Sequence, residues 1–118
     1  MRPLYHPPVE EITVQGIMHA LADPVRVRIL MELITSDATN NCTSFTNIYH
    51  TPLPKSTLSK HFAVLREAGL ISSERKGVEL HNQMRSKDLA PKFDRLLEAI
   101  LEAYRVEMQA QQAVTTAS

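Results

Sequence analysis

The sequence predicts a mostly α-helical domain with one small β-hairpin: a winged helix-turn-helix of order α-α-α-α-β-β-α. Three observations predict it. Leu58, Phe62 and Leu65 fall at i, i+4 and i+7, which places them on one side of a helix and leaves Ser56, Thr57, Ser59, Lys60 and His61 on the other. Gly69 then takes the usual position after a helix C-terminus, and the stretches Leu70 to Glu74 and Glu79 to Met84 flank a basic turn at Arg75, Lys76 and Gly77. Upstream, Thr51-Pro52-Leu53-Pro54 forces a turn, because each proline removes a donor and pushes the preceding residue out of helical geometry. A turn, a helix and a basic hairpin in that order are the plan of a winged helix.

Each element has its own signal. Pro3, Pro7 and Pro8 make residues 1–8 a stiff, non-helical arm. Val9-Glu10-Glu11 opens a first helix with acidic residues in its first turn, and the helix is expected to run to Ala22. Ile12, Ile17, Met18 and Leu21 form its apolar stripe, widened by Val9 and Val14. Asp23-Pro24 is a boundary: Asp accepts from the freed backbone donors, and Pro at the first helical position loses nothing. The second helix, Val25 to about Thr35, carries Val27, Ile29, Leu30, Leu33 and Ile34 and reads as the core helix. Residues 36–41 are polar and turn-prone, and Cys42 to Tyr49, with Phe45, Ile48 and Tyr49 at helical spacing, reads as a short third helix. Leu53 is expected to plug into the core, and Pro54 is permitted in the first turn of the fourth helix. The alternation of Val78, Leu80 and Asn82 marks the second strand. From Ser86 onward Leu89, Phe93, Leu96, Leu97, Ile100, Leu101, Tyr104 and Met108 follow the helical period for about five turns. A domain of this size is not expected to cover all of that stripe, so much of it should pack against a second copy. Residues 109–118 read as a frayed tail.

Composition bounds the function. The 118 residues suit a single domain, 1–118, with no room for two independently stable cores. No apolar run approaches the roughly 20 residues needed to span a bilayer, and the proline-rich start does not resemble a secretory signal. No membrane partner and a cytoplasmic location are expected. The lone Cys42 cannot form an intrachain disulfide, which agrees with a reducing compartment. An enzyme is not expected either: there is no Gly-rich phosphate loop, nucleophile elbow or H-E-x-x-H, and the chain has only three glycines. No cofactor is expected.

Charge is distributed rather than net. Thirteen basic residues balance thirteen acidic ones, yet residues 55–87 carry a local excess of +4 while each flank is −2. A dimer would present two positive patches on an acidic body, which favours binding where both patches meet phosphate at once. The polar side of the helix at 55–67 fits that role. Short hydroxyls let a helix backbone approach phosphates closely, while Lys and His reach base edges or backbone oxygens.

Two stretches carry a family resemblance. A-L-A-D-P-V-R-V-R-I-L, Ala20 to Leu30, and S-T-L-S-K-H-F-A-V-L-R-E-A-G-L-I, Ser56 to Ile71, closely resemble the two signature segments of the ArsR/SmtB family of bacterial transcriptional repressors. The likeness covers roughly residues 9–108. It implies a homodimer joined through its first and last helices, bound to an imperfect palindrome in double-stranded operator DNA and released by an effector. Lys55, Ser56, Thr57, Ser59, Lys60 and His61 would then contact DNA from the recognition helix, and Arg75 and Lys76 from the wing. The dimer interface would hold Ile12, Ile17, Leu97, Ile100, Leu101, Tyr104 and Met108.

The departures from the family matter as much. Metal-sensing relatives often carry paired cysteines on the helix before the turn, whereas this chain reads N-N-C-T-S-F-T-N with Cys42 alone, and its last helix has no His. Zinc or arsenic needs three or four ligands, so no metal site is expected within one subunit. A site shared across the dimer, such as Cys42 with His6 of the partner subunit, is the metal-sensing alternative. Cys42 is also the candidate redox residue, although no basic residue nearby in sequence lowers its thiol pKa. The expected function is a sequence-specific, dimeric transcriptional repressor whose unidentified effector is a small molecule or a redox signal. The alternative from another class is a winged helix that binds protein partners without touching DNA.

Overall fold

The structure, a computed structural model, describes residues 4–35, 40–41 and 53–117. In chain order it contains α1 (Val14–Ala20), α2 (Pro24–Thr35), β1 (Asn40–Asn41), α3 (Lys55–Glu67), β2 (Ile71–Lys76), β3 (Glu79–Met84) and α4 (Ser86–Ala117). The predicted short helix at Cys42 to Tyr49, and Cys42 itself, lie outside the described residues.

The N-terminal segment corrects the expectation of one helix from Val9 to Ala22. Val9–Glu11 form a single 3-10 turn, Ile12 is extended, and α1 starts afresh at Val14. Thr13 caps that second start, its Oγ1 accepting from the Gly16 N–H at 3.0 Å. The break has a packing cause. Extended backbone at Ile12 turns this side chain into the core, where it lies against Gly69.

Gly69 is required there for two reasons. Its φ of +85° lies in the left-handed region, and a Cβ built on it would sit 2.5 Å from Ile12 Cγ1. Gly69→Ala is therefore expected to lower folding stability by about 1–3 kcal/mol, measured by urea denaturation. A change below a few tenths of a kcal/mol would show that Ile12 does not occupy this position.

The second helix begins as its sequence dictates. Asp23 Oδ1 accepts from the Val25 N–H at 2.8 Å, and Pro24 takes the first helical position. Val27, Ile29, Leu30 and Leu33 are buried, but Ile34 at the far end is exposed, so it is not part of the core. Leu53 packs against the core cluster as expected.

The sheet has three strands in the order β1-β3-β2, where the sequence suggested only two. In the hairpin Ile71 pairs with Met84 and Lys76 with Glu79, leaving Gly77 and Val78 as a two-residue turn with Gly77 at φ +66°. β1 adds antiparallel pairing of Asn40 with Asn82 and Asn41 with His81. Asn82, on the central strand, is wholly buried and accepts from the Ser73 hydroxyl at 2.6 Å, which satisfies part of its polar demand.

The N-terminal arm is tied to this sheet. His6 Nε2 accepts from the Ser73 N–H at 2.9 Å, and Arg85 Nη1 donates to the Pro7 carbonyl at 2.8 Å. The arm thus covers the outer N–H side of β2 at Ser73, where an edge strand would otherwise leave a donor unpaired.

α4 closes the core from the other side. Leu89, Phe93 and Leu97 are buried, and Leu96, Ile100, Leu101 and Tyr104 pack partly against the cluster. Pro91 lies in its second turn, where it removes the N–H that would reach the carbonyl of Lys87, an exposed residue. The helix continues through Ala117. The frayed tail expected at residues 109–118 is therefore helical up to that point, in keeping with the high helix propensity of its Ala and Gln residues.

Candidate nucleic-acid interface

α3 divides its residues as the spacing predicts. Leu58, Phe62 and Leu65 have no exposed surface, whereas Lys55, Ser56, Ser59 and Lys60 are exposed and Thr57 and His61 are partly so. The helix starts directly after Pro54, which offers no side-chain cap, so the first-turn N–H groups of Lys55, Ser56 and Thr57 have no intrahelical partner. Free N–H groups at a helix N-terminus, an adjacent ammonium and three hydroxyls form a surface complementary to phosphate.

The wing is held in register with α3 by buried polar contacts. Arg66 Nε, in the last turn of α3, donates to Ser73 Oγ at 3.4 Å, and the Ser73 hydroxyl in turn donates to Asn82 on the neighbouring strand. Arg75 and Lys76 project as exposed cations before the turn, and Val78 at its tip is fully exposed. Helix face and wing are therefore mounted on one scaffold.

The local charge excess is smaller at the surface than in the sequence. Arg66 is buried under the wing, and Arg85 is paired with Asp88 at 2.9 Å. Lys55, Lys60, Arg75, Lys76 and Lys87 remain exposed. Glu74 and Glu79 flank the wing cations, with Glu79 accepting from His81 at 3.1 Å.

One residue of this surface has no signal in the sequence. Arg26 of α2 places Nη1 3.3 Å from Nδ1 of His61. Thirty-five positions separate the two, and no local periodicity links them.

The residues assigned to a dimer interface do not form one surface. Ile12, Ile17 and Leu97 are covered by their own chain, Ile17 completely, and so present no contact area to a partner. Periodicity identifies an apolar side of a helix without saying which body covers it. On α1 the exposed apolar surface is instead at Val14 and Met18, 48% and 57% exposed. Ile100, Leu101, Tyr104 and Met108 are partly exposed, but the Tyr104 hydroxyl donates to the Leu21 carbonyl at 2.9 Å and Arg28 Nη1 lies 3.4 Å from Met108 Sδ. The intramolecular core thus reaches further along α4 than expected.

A cleft of about 1120 Å³ opens between the end of α2, β3 and α4, lined by residues that include Met31, Ile34, Met84, Arg95, Glu98 and Leu101. Among the described residues no three His, Cys, Asp or Glu side chains are grouped to hold a metal ion. Both ring nitrogens of His6 are engaged within its own chain, Nδ1 with the Leu4 carbonyl and Nε2 with Ser73. Among the described residues no helix is long and apolar enough to cross a membrane.

Comparison with known proteins places these features. Residues 21–74, which span α2, α3 and most of β2, match the model of a helix-turn-helix domain family. An ArsR-like transcriptional regulator from Rhodococcus sp. RHA1 is 26% identical with a TM-score of 0.53, covering 85% of this chain and 90% of that one. A homodimeric winged helix-turn-helix DNA-binding domain from Mycobacterium bovis, a possible ArsR-family transcriptional regulator, is 21% identical with a TM-score of 0.60 over 78% of each chain. The Mycobacterium tuberculosis protein Rv0081 is 22% identical with a TM-score of 0.55, over 95% of this chain and 99% of that one. No curated protein sequence matches significantly.

Proposed function

We infer that this chain, a helix-turn-helix protein with the winged fold of ArsR-like transcriptional regulators, is a dimeric repressor that reads a palindromic operator through α3 and the hairpin. Its domain and fold are those of transcriptional regulators, not of enzymes. The observation that carries the reading is the division of α3: every apolar side chain at 58, 62 and 65 is sealed in the core, so the residues from 55 to 61 that remain outside are almost all hydroxyls and cations. Such a helix fits the major groove with its N-terminal part foremost, and the wing then lies along flanking phosphate. Two copies related by a two-fold axis would address half-sites about one helical turn apart. Occupying the operator excludes polymerase.

Homodimerisation is supported by the homodimeric Mycobacterium bovis domain and by the exposed Val14 and Met18. Release by an organic effector, in preference to a metal, is supported by the cleft along α4, whose lining sets charged residues such as Arg95 and Glu98 beside Met31, Ile34, Met84 and Leu101 and whose volume admits a small molecule. An effector acts by binding the DNA-free arrangement of the dimer better than the bound one.

The test is fluorescence anisotropy with a duplex enriched from a random pool by in vitro selection, titrated across a salt series. Saturable binding to the selected duplex that weakens steeply with salt is expected. Arg75→Ala with Lys76→Ala should reduce binding to all sequences alike and flatten the log-log salt slope by about 1–2, since each phosphate left without its cation lowers that slope by about 0.9. If no duplex is enriched and binding never saturates, the fold serves a protein-binding role instead.

A further inference from the structure

Arg26 sits where three helices meet. Its Nε donates to the Ala20 carbonyl at 2.6 Å and its Nη2 to the His19 carbonyl at 3.3 Å, both at the C-terminal end of α1, and Asp23 Oδ2 lies 3.7 Å from Nη1. Those contacts hold the guanidinium from the α1 side and fix the direction of the second N–H on Nη1. That N–H faces Nδ1 of His61 on α3 at 3.3 Å.

A guanidinium carries donors only. The nitrogen facing it must therefore offer a lone pair, which makes Nδ1 the acceptor and leaves the ring proton on Nε2. His61 is partly exposed on the outward side of α3, and Nε2 has no partner among the described residues. An imidazole free to choose its tautomer could offer either a donor or an acceptor to a base; this one is committed to a donor.

We propose that Arg26 is a positioning residue that holds His61 as an Nε2–H donor, so that His61 selects hydrogen-bond acceptors on DNA. In the major groove those are guanine N7 and O6, adenine N7 and thymine O4, while the amino groups of cytosine and adenine are rejected. The inference rests on α3 being the DNA-reading helix and adds which chemical groups one of its residues reads, and which residue of α2 sets that choice. Arg26 itself need not touch DNA.

Two measurements separate this inference from the reading beneath it. Long-range proton–nitrogen correlation spectra of the unbound protein, recorded above neutral pH, should show His61 as a single neutral tautomer with the proton on Nε2. A proton on Nδ1 overturns the proposal whatever the DNA results. A double-mutant cycle with Arg26→Met and His61→Ala on the selected duplex should show each single change weakening binding roughly 10-fold, and the double variant no weaker than His61→Ala alone. Multiplicative losses, roughly 100-fold in the double variant, would show that Arg26 acts only through the fold and overturn its positioning role. If the methionine variant does not fold, Arg26→Lys, which keeps a cation for the α1 carbonyls, should show the same non-additive pattern with His61→Ala in its place. If His61→Ala binds as well as the wild type while Lys60→Glu binds roughly 100-fold more weakly, the proposal fails and α3 keeps its role; if Lys60→Glu also binds normally, the DNA-reading role of α3 fails with it.

Discussion

Lys60→Glu is expected to cost about 3 kcal/mol or more of specific DNA affinity, roughly 100-fold, and to leave the fold intact. The side chain is exposed on α3 and makes no hydrogen bond or ion pair among the described residues, so the native state loses nothing with it. Removing a base or phosphate contact in the groove accounts for about 1–3 kcal/mol, and a carboxylate facing the phosphates adds repulsion. Anisotropy with the selected duplex measures the loss, and a thermal melt of the same variant checks the fold. Unchanged affinity would place the DNA-facing surface elsewhere.

Phe62→Ala should act on the opposite side of the same helix, lowering folding stability by about 3–5 kcal/mol. The ring is completely buried in a core cluster to which α1, α2, β2 and α4 also contribute. Its truncation leaves a cavity that rigid neighbours fill only partly, and the loss is a large share of a typical domain's total of about 5–15 kcal/mol. Urea denaturation gives the value directly. A loss under about 1 kcal/mol would mean that α3 is not packed on this face, and the polar residues at 55–61 would then have no reason to point outward.

Much of this arrangement is legible in the residues. Asp23-Pro24 announces a helix start because the chemistry is local: one side-chain acceptor and one missing N–H are enough. The division of α3 is equally readable, since three large apolar residues at helical spacing leave only one face to bury. Gly77 likewise marks the hairpin, although Arg75 and Lys76, expected in the turn, end β2 instead, paired with Leu80 and Glu79.

What the residues do not reveal depends on distant partners. Ile12 interrupts a helical pattern because Gly69, far along the chain, leaves a space for it. Asn40 and Asn41 have no strand signature of their own and become extended by pairing with β3. Ile17 and Leu97 read as partner-facing because a stripe has no label for the body that covers it, and both are sealed inside one subunit. The contact of Arg26 with His61 joins two helices whose crossing the sequence does not state. In each case the local rule holds, and a tertiary contact decides the outcome.

The most direct measurement is an amide and side-chain chemical-shift map of isotopically labelled protein titrated with the selected duplex. On the reading that α3 and the wing face DNA, the largest changes are expected on Ser56, Thr57, Ser59, Lys60 and His61, with a second group at Arg75 and Lys76, while the buried positions Leu58, Phe62 and Leu65 change little in their side chains. Changes concentrated on α4, or none at saturating DNA, would contradict it.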